Sequence, residues 1–264
     1  MTTLAMTEPT AAESEAYFNT LPLLDRQNDP AIRITLLSDT PDAPGDDNVA
    51  KINKDAPAIV AFADGVSAKN REAVLLGVEF AETVAHEKHD INKEPVDWLK
   101  AYADALRIAG WLTLGGHEYA DYTTNSQALT MDSVVLDLIG AVAGPNAATV
   151  ISLLNVVLDK MQKNKPLMQL FERNAKKGNI SSFRIMPCVE SSQGIPITYL
   201  VAVQCKYSSE QGGVLFWKWS VSKLSIKHLA RGVQFAEDTH KRNKDKILAF
   251  LKSDVDSFFE ALKK

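Results

Sequence analysis

The sequence predicts an α+β protein, with N-terminal and central helices that include an apolar helical hairpin, a C-terminal antiparallel β-meander, and a closing amphipathic C-terminal helix. Three observations carry this reading. Apolar residues recur at helical spacing over residues 68–89 and 93–110. They alternate with a period of two over 195–207 and again over 214–221. Between these regions lies Val134 to Met161, VVLDLIGAVAGPNAATVISLLNVVLDKM, where only Asp137, Asp159 and Lys160 carry charge. The helical and strand periods are distinct, so each region selects its own secondary structure.

In chain order, residues 1–16 are small and polar and read as a flexible N-terminal tail. Residues 17–264 read as a single α+β domain. Ile32 to Leu37 is a short extended segment, and Ser38 to Asp47 is a loop rich in Pro, Gly and Asp. Ala58 to Ala63, AIVAFA, is a compact apolar run closed by Asp64-Gly65. Ser67 is placed to cap the helix of 68–89, where Val74, Val78, Ala81 and Ala85 form one stripe beside Leu75. The next helix carries Trp98, Tyr102, Ala105, Leu106 and Ala109 at helical spacing and ends at Gly110. Trp111 to Tyr122 reads as a strand interrupted at Gly115-Gly116.

Gly144-Pro145 divides the apolar region into two helices, because proline lacks an N–H and clashes with the preceding turn. Asn146 stands where the second helix starts. Each arm is shorter than the ~20 apolar residues that span a bilayer, so the length rule favours a buried hairpin over a membrane span. A short helix is expected over 166–176. Four strand candidates follow: 182–189, 195–207, 214–221 and 224–233. Ile195, Ile197, Tyr199, Val201, Val203 and Cys205 share one face of the second, and short loops join the strands into a meander. The final helix, 239–262, carries a stripe of Ile247, Leu248, Leu251, Val255, Phe258, Phe259 and Leu262.

Composition excludes some function classes. The net charge is −4 over 264 residues, and the basic cluster Lys241 to Lys246 is interrupted by Asp245, so there is no nucleic-acid footprint. The N-terminus lacks the basic and apolar regions of a secretory signal, so synthesis is expected in the cytoplasm, with any export by a non-classical route or action at host membranes.

Candidate chemistry is sparse. Glu82 and His86 stand one helical turn apart with His89 nearby, yet no third ligand accompanies them, so a solvated helix end is the better reading and no metal is expected. His117, His228 and His240 stand alone. Neither a Gly-x-Ser-x-Gly elbow nor a phosphate-binding loop occurs, and no catalytic residue is assigned. Two cysteines, Cys188 and Cys205, make no disulfide framework or zinc spacing and are expected to be free thiols. Cys205 continues an apolar strand face, as a buried cysteine does. Cys188 follows Pro187, stands near a polar loop and is expected to be more reachable from solvent. A dyad of one of these thiols with a distant histidine stays open.

Three segments resemble a family of bacterial virulence factors of the Evf type. They are AIVAFADGVSAKNREAVLLGVEFAE (58–82), the helix from Trp98 to Trp111 ending in RIAGW, and the meander from Phe183 to Trp219. The resemblance implies a virulence or toxin-type factor that carries palmitate on a cysteine of its C-terminal half and acts on host cells or membranes. The acylated residue would then be Cys188 or Cys205. One acyl chain alone gives marginal membrane binding, and the apolar hairpin offers a second signal. Two rivals stand beside this: an acyl-transfer or thioester-hydrolysing enzyme that uses a cysteine, and a soluble pore-former that inserts the 134–161 hairpin.

Overall fold

The computed structural model describes residues 7–21, 33–36, 49–52, 58–91, 93–114, 119–123, 128–163, 180–207, 218–220 and 224–251. Its centre is a mixed sheet clad by helices on both faces. The strands are β1 (Arg33–Leu36), β2 (Val49–Ile52), β3 (Ala58–Phe62), β4 (Trp111–Thr113), β5 (Ala120–Asp121), β6 (Ala128–Thr130), β7 (Ile180–Glu190), β8 (Pro196–Tyr207), β9 (Lys218–Ser220) and β10 (Leu224–Phe235). The helices are α1 (Ala11–Asn19), α2 (Ala68–Lys88), α3 (Pro95–Ile108), α4 (Met131–Val142), α5 (Ala147–Lys163) and α6 (Glu237–Leu251). The sheet order is β1-β2-β3-β7-β8-β10-β4, with β5 also paired to β10.

The antiparallel ladder β7-β8-β10 forms the expected meander. Cys188 of β7 faces Thr198 of β8, and Cys205 of β8 faces Ile226 of β10. β3 joins the meander by parallel pairing with β7, Phe62 beside Cys188. Parallel neighbours need a long crossover, and here the whole helical region between residues 63 and 179 intervenes. Burial on both faces explains why β3 is apolar at every position, since alternation is lost when neither face meets water.

Period two sorts the side chains of the meander. On one face Arg184 reaches Glu82 of α2, and Met186 accepts a hydrogen bond from the Tyr102 hydroxyl of α3. On the other face the Tyr199 hydroxyl reaches Ala143, at the end of α4. The helical pair α2–α3 therefore covers one face, and the α4–α5 hairpin covers the other, against β3, β7, β8 and β10.

The apolar region is broken where proline requires. α4 ends at Val142, Gly144–Asn146 makes a single 3-10 turn with Gly144 at a φ of 51°, and α5 begins at Ala147. Val134, Val135, Leu138 and Ile139 of α4 and Val150, Leu154, Val157 and Met161 of α5 are buried. At about 1.5 Å per residue the arms measure about 18 and 26 Å, short of the ~30 Å hydrocarbon core. No helix among the described residues is long and apolar enough to cross a membrane.

Other expectations need correction. The boundary drawn at residue 16 falls inside α1, whose start is fixed by a capping box between Thr10 and Glu13. Ser67 stands at the N-cap of α2, but its hydroxyl makes no cap bond. Of the third strand candidate the described residues are those of β9, which pairs with β6 in a separate two-stranded sheet. Its place beside β8 is taken by β10, whose 12 residues match the 12 of β8. The loop expected at 38–47, the helix expected over 166–176 and the end of the closing helix beyond Leu251 lie outside the described residues.

Candidate functional site

The two candidate thiols are on opposite faces of the sheet. Cys188 lies with Arg184 and Met186 on the α2–α3 face. Cys205 lies with Tyr199, Val201 and Val203 beneath the hairpin. Both are free and both are 0% exposed, which overturns the expected solvent access of Cys188. The neighbouring turn is exposed, but β3 on one side and β8 on the other cover Cys188 itself.

Their surroundings differ in polarity. The Cys188 thiol donates weakly to the Val189 carbonyl at 3.6 Å. Burial and the Glu190 carboxylate push its pKa up to about 12, against the opposing influence of Arg71. For Cys205 burial alone raises the pKa. A thiol becomes a nucleophile by losing its proton, so both are inert as they stand. Among the described residues no histidine acts on either thiol.

Beside Cys188 the start of α2 is closed by a carboxylate from another part of the chain. Glu190 Oε2 accepts from the Ser67 N–H at 2.8 Å, the Ser67 hydroxyl at 2.9 Å and Asn70 Nδ2 at 2.6 Å. The Ser67 N–H does most to hold this carboxyl below the usual range, with help from the Asn70 and Ser67 side chains and Arg71. A negative charge is well placed there, because the N–H groups of a helix start lack intrahelical partners.

Deeper on the same face is a buried ion pair. Arg184 Nη2 donates to Glu82 Oε1 at 2.7 Å, with both side chains almost fully enclosed. The guanidinium lies 4.3 Å from the Trp98 ring and 5.1 Å from that of Tyr102, and the two rings stack. Glu82 is thus buried in an ion pair rather than at the solvated helix end that was expected. His86 instead accepts from the Trp98 indole N–H at 3.0 Å. Among the described residues no cluster of three His, Cys, Asp or Glu is arranged to hold a metal.

On the hairpin face Tyr199 is the polar fastening. Its hydroxyl donates to the Ala143 carbonyl at 3.2 Å and accepts from Asn146 Nδ2 at 3.0 Å. Asn146 therefore ties the turn to the sheet. Sequence reasoning missed this fastening, the Glu190 closure and the buried ion pair. Arg184 did leave a signal, as a charge inside an otherwise apolar strand.

His228 is half-buried on β10. His240 is buried, with Nδ1 3.0 Å from the Ala109 carbonyl. Burial lowers the pKa of each. His117 lies outside the described residues, as do the side chains of Trp217 and Trp219.

No family model matches the sequence, and no curated protein does. Among solved structures the chain is similar to the Evf virulence factor, with a TM-score of 0.45 and 13% identity over 90% of this chain and 88% of that one. It is also similar to a delta-endotoxin, with a TM-score of 0.42 and 12% identity over 69% of this chain and 81% of that one.

Proposed function

We propose that the protein is a virulence or toxin-type factor that holds a fatty acyl chain as a thioester on Cys205 and acts at host membranes, without catalytic turnover. The virulence part of this reading rests on the three sequence segments that resemble the Evf type. The lipid part rests on one observation: Cys205 is fully buried beside Tyr199, Val201 and Val203, on the sheet face that the apolar hairpin covers.

That setting suits an apolar chain. Val201 and Val203 precede Cys205 on its face, and Ile226 lies opposite, all buried. Each buried methylene contributes about 0.8 kcal/mol, so a chain enclosed between sheet and hairpin is held strongly. Cys188 suits it less, with Arg71 and Glu190 acting on its thiol.

The test is metabolic labelling with an alkynyl fatty acid in the producing bacterium. The unmodified chain and Cys188→Ser should take the label, and Cys205→Ser should not. Label retained in Cys205→Ser and lost in Cys188→Ser moves the site to the other face. An unlabelled chain in all three removes the lipid from the account.

A further inference from the structure

His86 stands half-buried near the end of α2 and meets Trp98 of α3. Its Nδ1 accepts the indole N–H at 3.0 Å, with the two rings 5.3 Å apart. An indole nitrogen can only donate, so the nitrogen it meets must carry a lone pair. Imidazolium carries a proton on both nitrogens and has no lone pair to offer. The contact therefore exists only while His86 is neutral, and imidazole is the side chain that ordinarily changes charge between about pH 5 and pH 8. Trp98 is 1% exposed, so an N–H that loses this acceptor stays buried, which penalises the docked state.

Trp98 supports more than itself. It stacks on Tyr102, and the Arg184 guanidinium lies over both rings, 4.3 and 5.1 Å from their centres. Arg184 is bonded to Glu82, four residues before His86 on α2. Tyr102 donates in turn to Met186 of β7, and burial raises its pKa, so it keeps its proton. The His86–Trp98 bond is the water-facing end of a polar chain that ties α2 and α3 to the sheet.

The other charges of this corner have partners of their own. Glu79 lies buried two turns before His86, and Glu82 is committed to Arg184. Past the end of α2, His89 pairs with Glu94 at 3.6 Å and Asp90 with Lys93 at 3.0 Å. On α3, Asp97 pairs with Lys100 at 3.3 Å. A proton on His89 strengthens its pair with Glu94, so His89 responds to acid in the opposite sense. We propose that His86 is a proton-operated latch: neutral, it holds α3 against α2 and the sheet, and protonated, it releases α3. The inference is independent of the acylation reading.

The test is a nuclear magnetic resonance titration of the full chain from about pH 7.5 to about pH 5, the range in which imidazole takes up its proton. The Trp98 indole N–H signal, assigned by its loss in Trp98→Phe, should move with the His86 ring signal at one shared midpoint. Amides of 95–108 should exchange roughly fivefold faster at the acid end, after correction for intrinsic rates, while those of α6 hold steady. His86→Asn keeps a carbonyl acceptor near the place of Nδ1 and cannot titrate, so it should abolish both responses. His240→Gln should leave both intact. The titration of the unmodified chain decides the matter without a variant. An indole signal that stays fixed while His86 titrates, or a His86 that takes up no proton above about pH 5, would overturn the proposal. So would responses that survive in folded His86→Asn or vanish in His240→Gln.

Discussion

Gly77 of α2 sits so close to the Trp111 indole that an added methyl group would lie 2.6 Å from the ring. The indole N–H also donates to the Ala73 carbonyl at 3.3 Å, which fixes the ring in place. Alanine is the better helix former, but the clash outweighs that gain. Gly77→Ala should destabilise the protein by about 1–3 kcal/mol, read by urea unfolding. The buried pair makes a sharper case. Arg184→Ala strands the Glu82 carboxylate without this cation and should cost about 3–5 kcal/mol, whereas Glu82→Leu with Arg184→Met should cost far less. Equal losses in the single and double variants would show that the pair is not a unit. The two residues are 102 positions apart, so the sequence showed each charge but not the pairing. A still longer separation, 123 positions from Ser67, hid Glu190 from the start of α2. Its carboxyl is depressed, so its stabilising effect is present above the unfolded value of ~4.3 and is lost as pH falls through the folded value. Glu190→Gln should therefore be less stable than the unmodified chain at neutral pH, and the gap should close below about pH 4.

At the scale of elements, the hairpin and the meander were legible for different reasons. Gly144-Pro145 announces its own break, since no helix carries proline through its interior without losing a hydrogen bond. The alternation in 195–207 announces a strand. Alternation does not name the neighbour, however, and so β9 was placed in a ladder that belongs to β10. The second helical layer was also hidden. Reading Ile197, Tyr199, Val201 and Val203 as the inner face drew attention from Thr198, Leu200 and Ala202, which are equally buried on the other face. A strand apolar on both sides carries that information, and β3 shows it at every position. The hairpin's attachment gives the element-scale prediction. Tyr199→Phe removes the bonds to Ala143 and Asn146, while the Ala143 carbonyl keeps its bond from the Asn146 N–H, so the cost should be about 0.5–1.5 kcal/mol. Amides of the 143–147 turn should exchange faster in that variant while those of α2 stay protected.

At the scale of the whole molecule, the sheet separates two environments. One face carries the buried ion pair, the Glu190 closure and Cys188. The other carries Cys205 under a hairpin held by apolar packing and by hydrogen bonds that include those of Tyr199 and Tyr122. On the proposed reading, a lipid on Cys205 would share its space with the hairpin, which would link acylation to the hairpin's position. The sequence located both thiols and favoured the more polar one, because a polar loop beside Cys188 suggested exposure. Strand pairing on both sides of Cys188 removes that exposure and shifts the preference to Cys205. The measurement that bears most directly on this account is the intact mass of the protein purified from its producing bacterium, before and after neutral hydroxylamine. The account predicts a mass excess of one fatty acyl group, lost on treatment, with the thioester mapping to the peptide that contains Cys205. An unmodified mass, or an excess that hydroxylamine leaves in place, would contradict it.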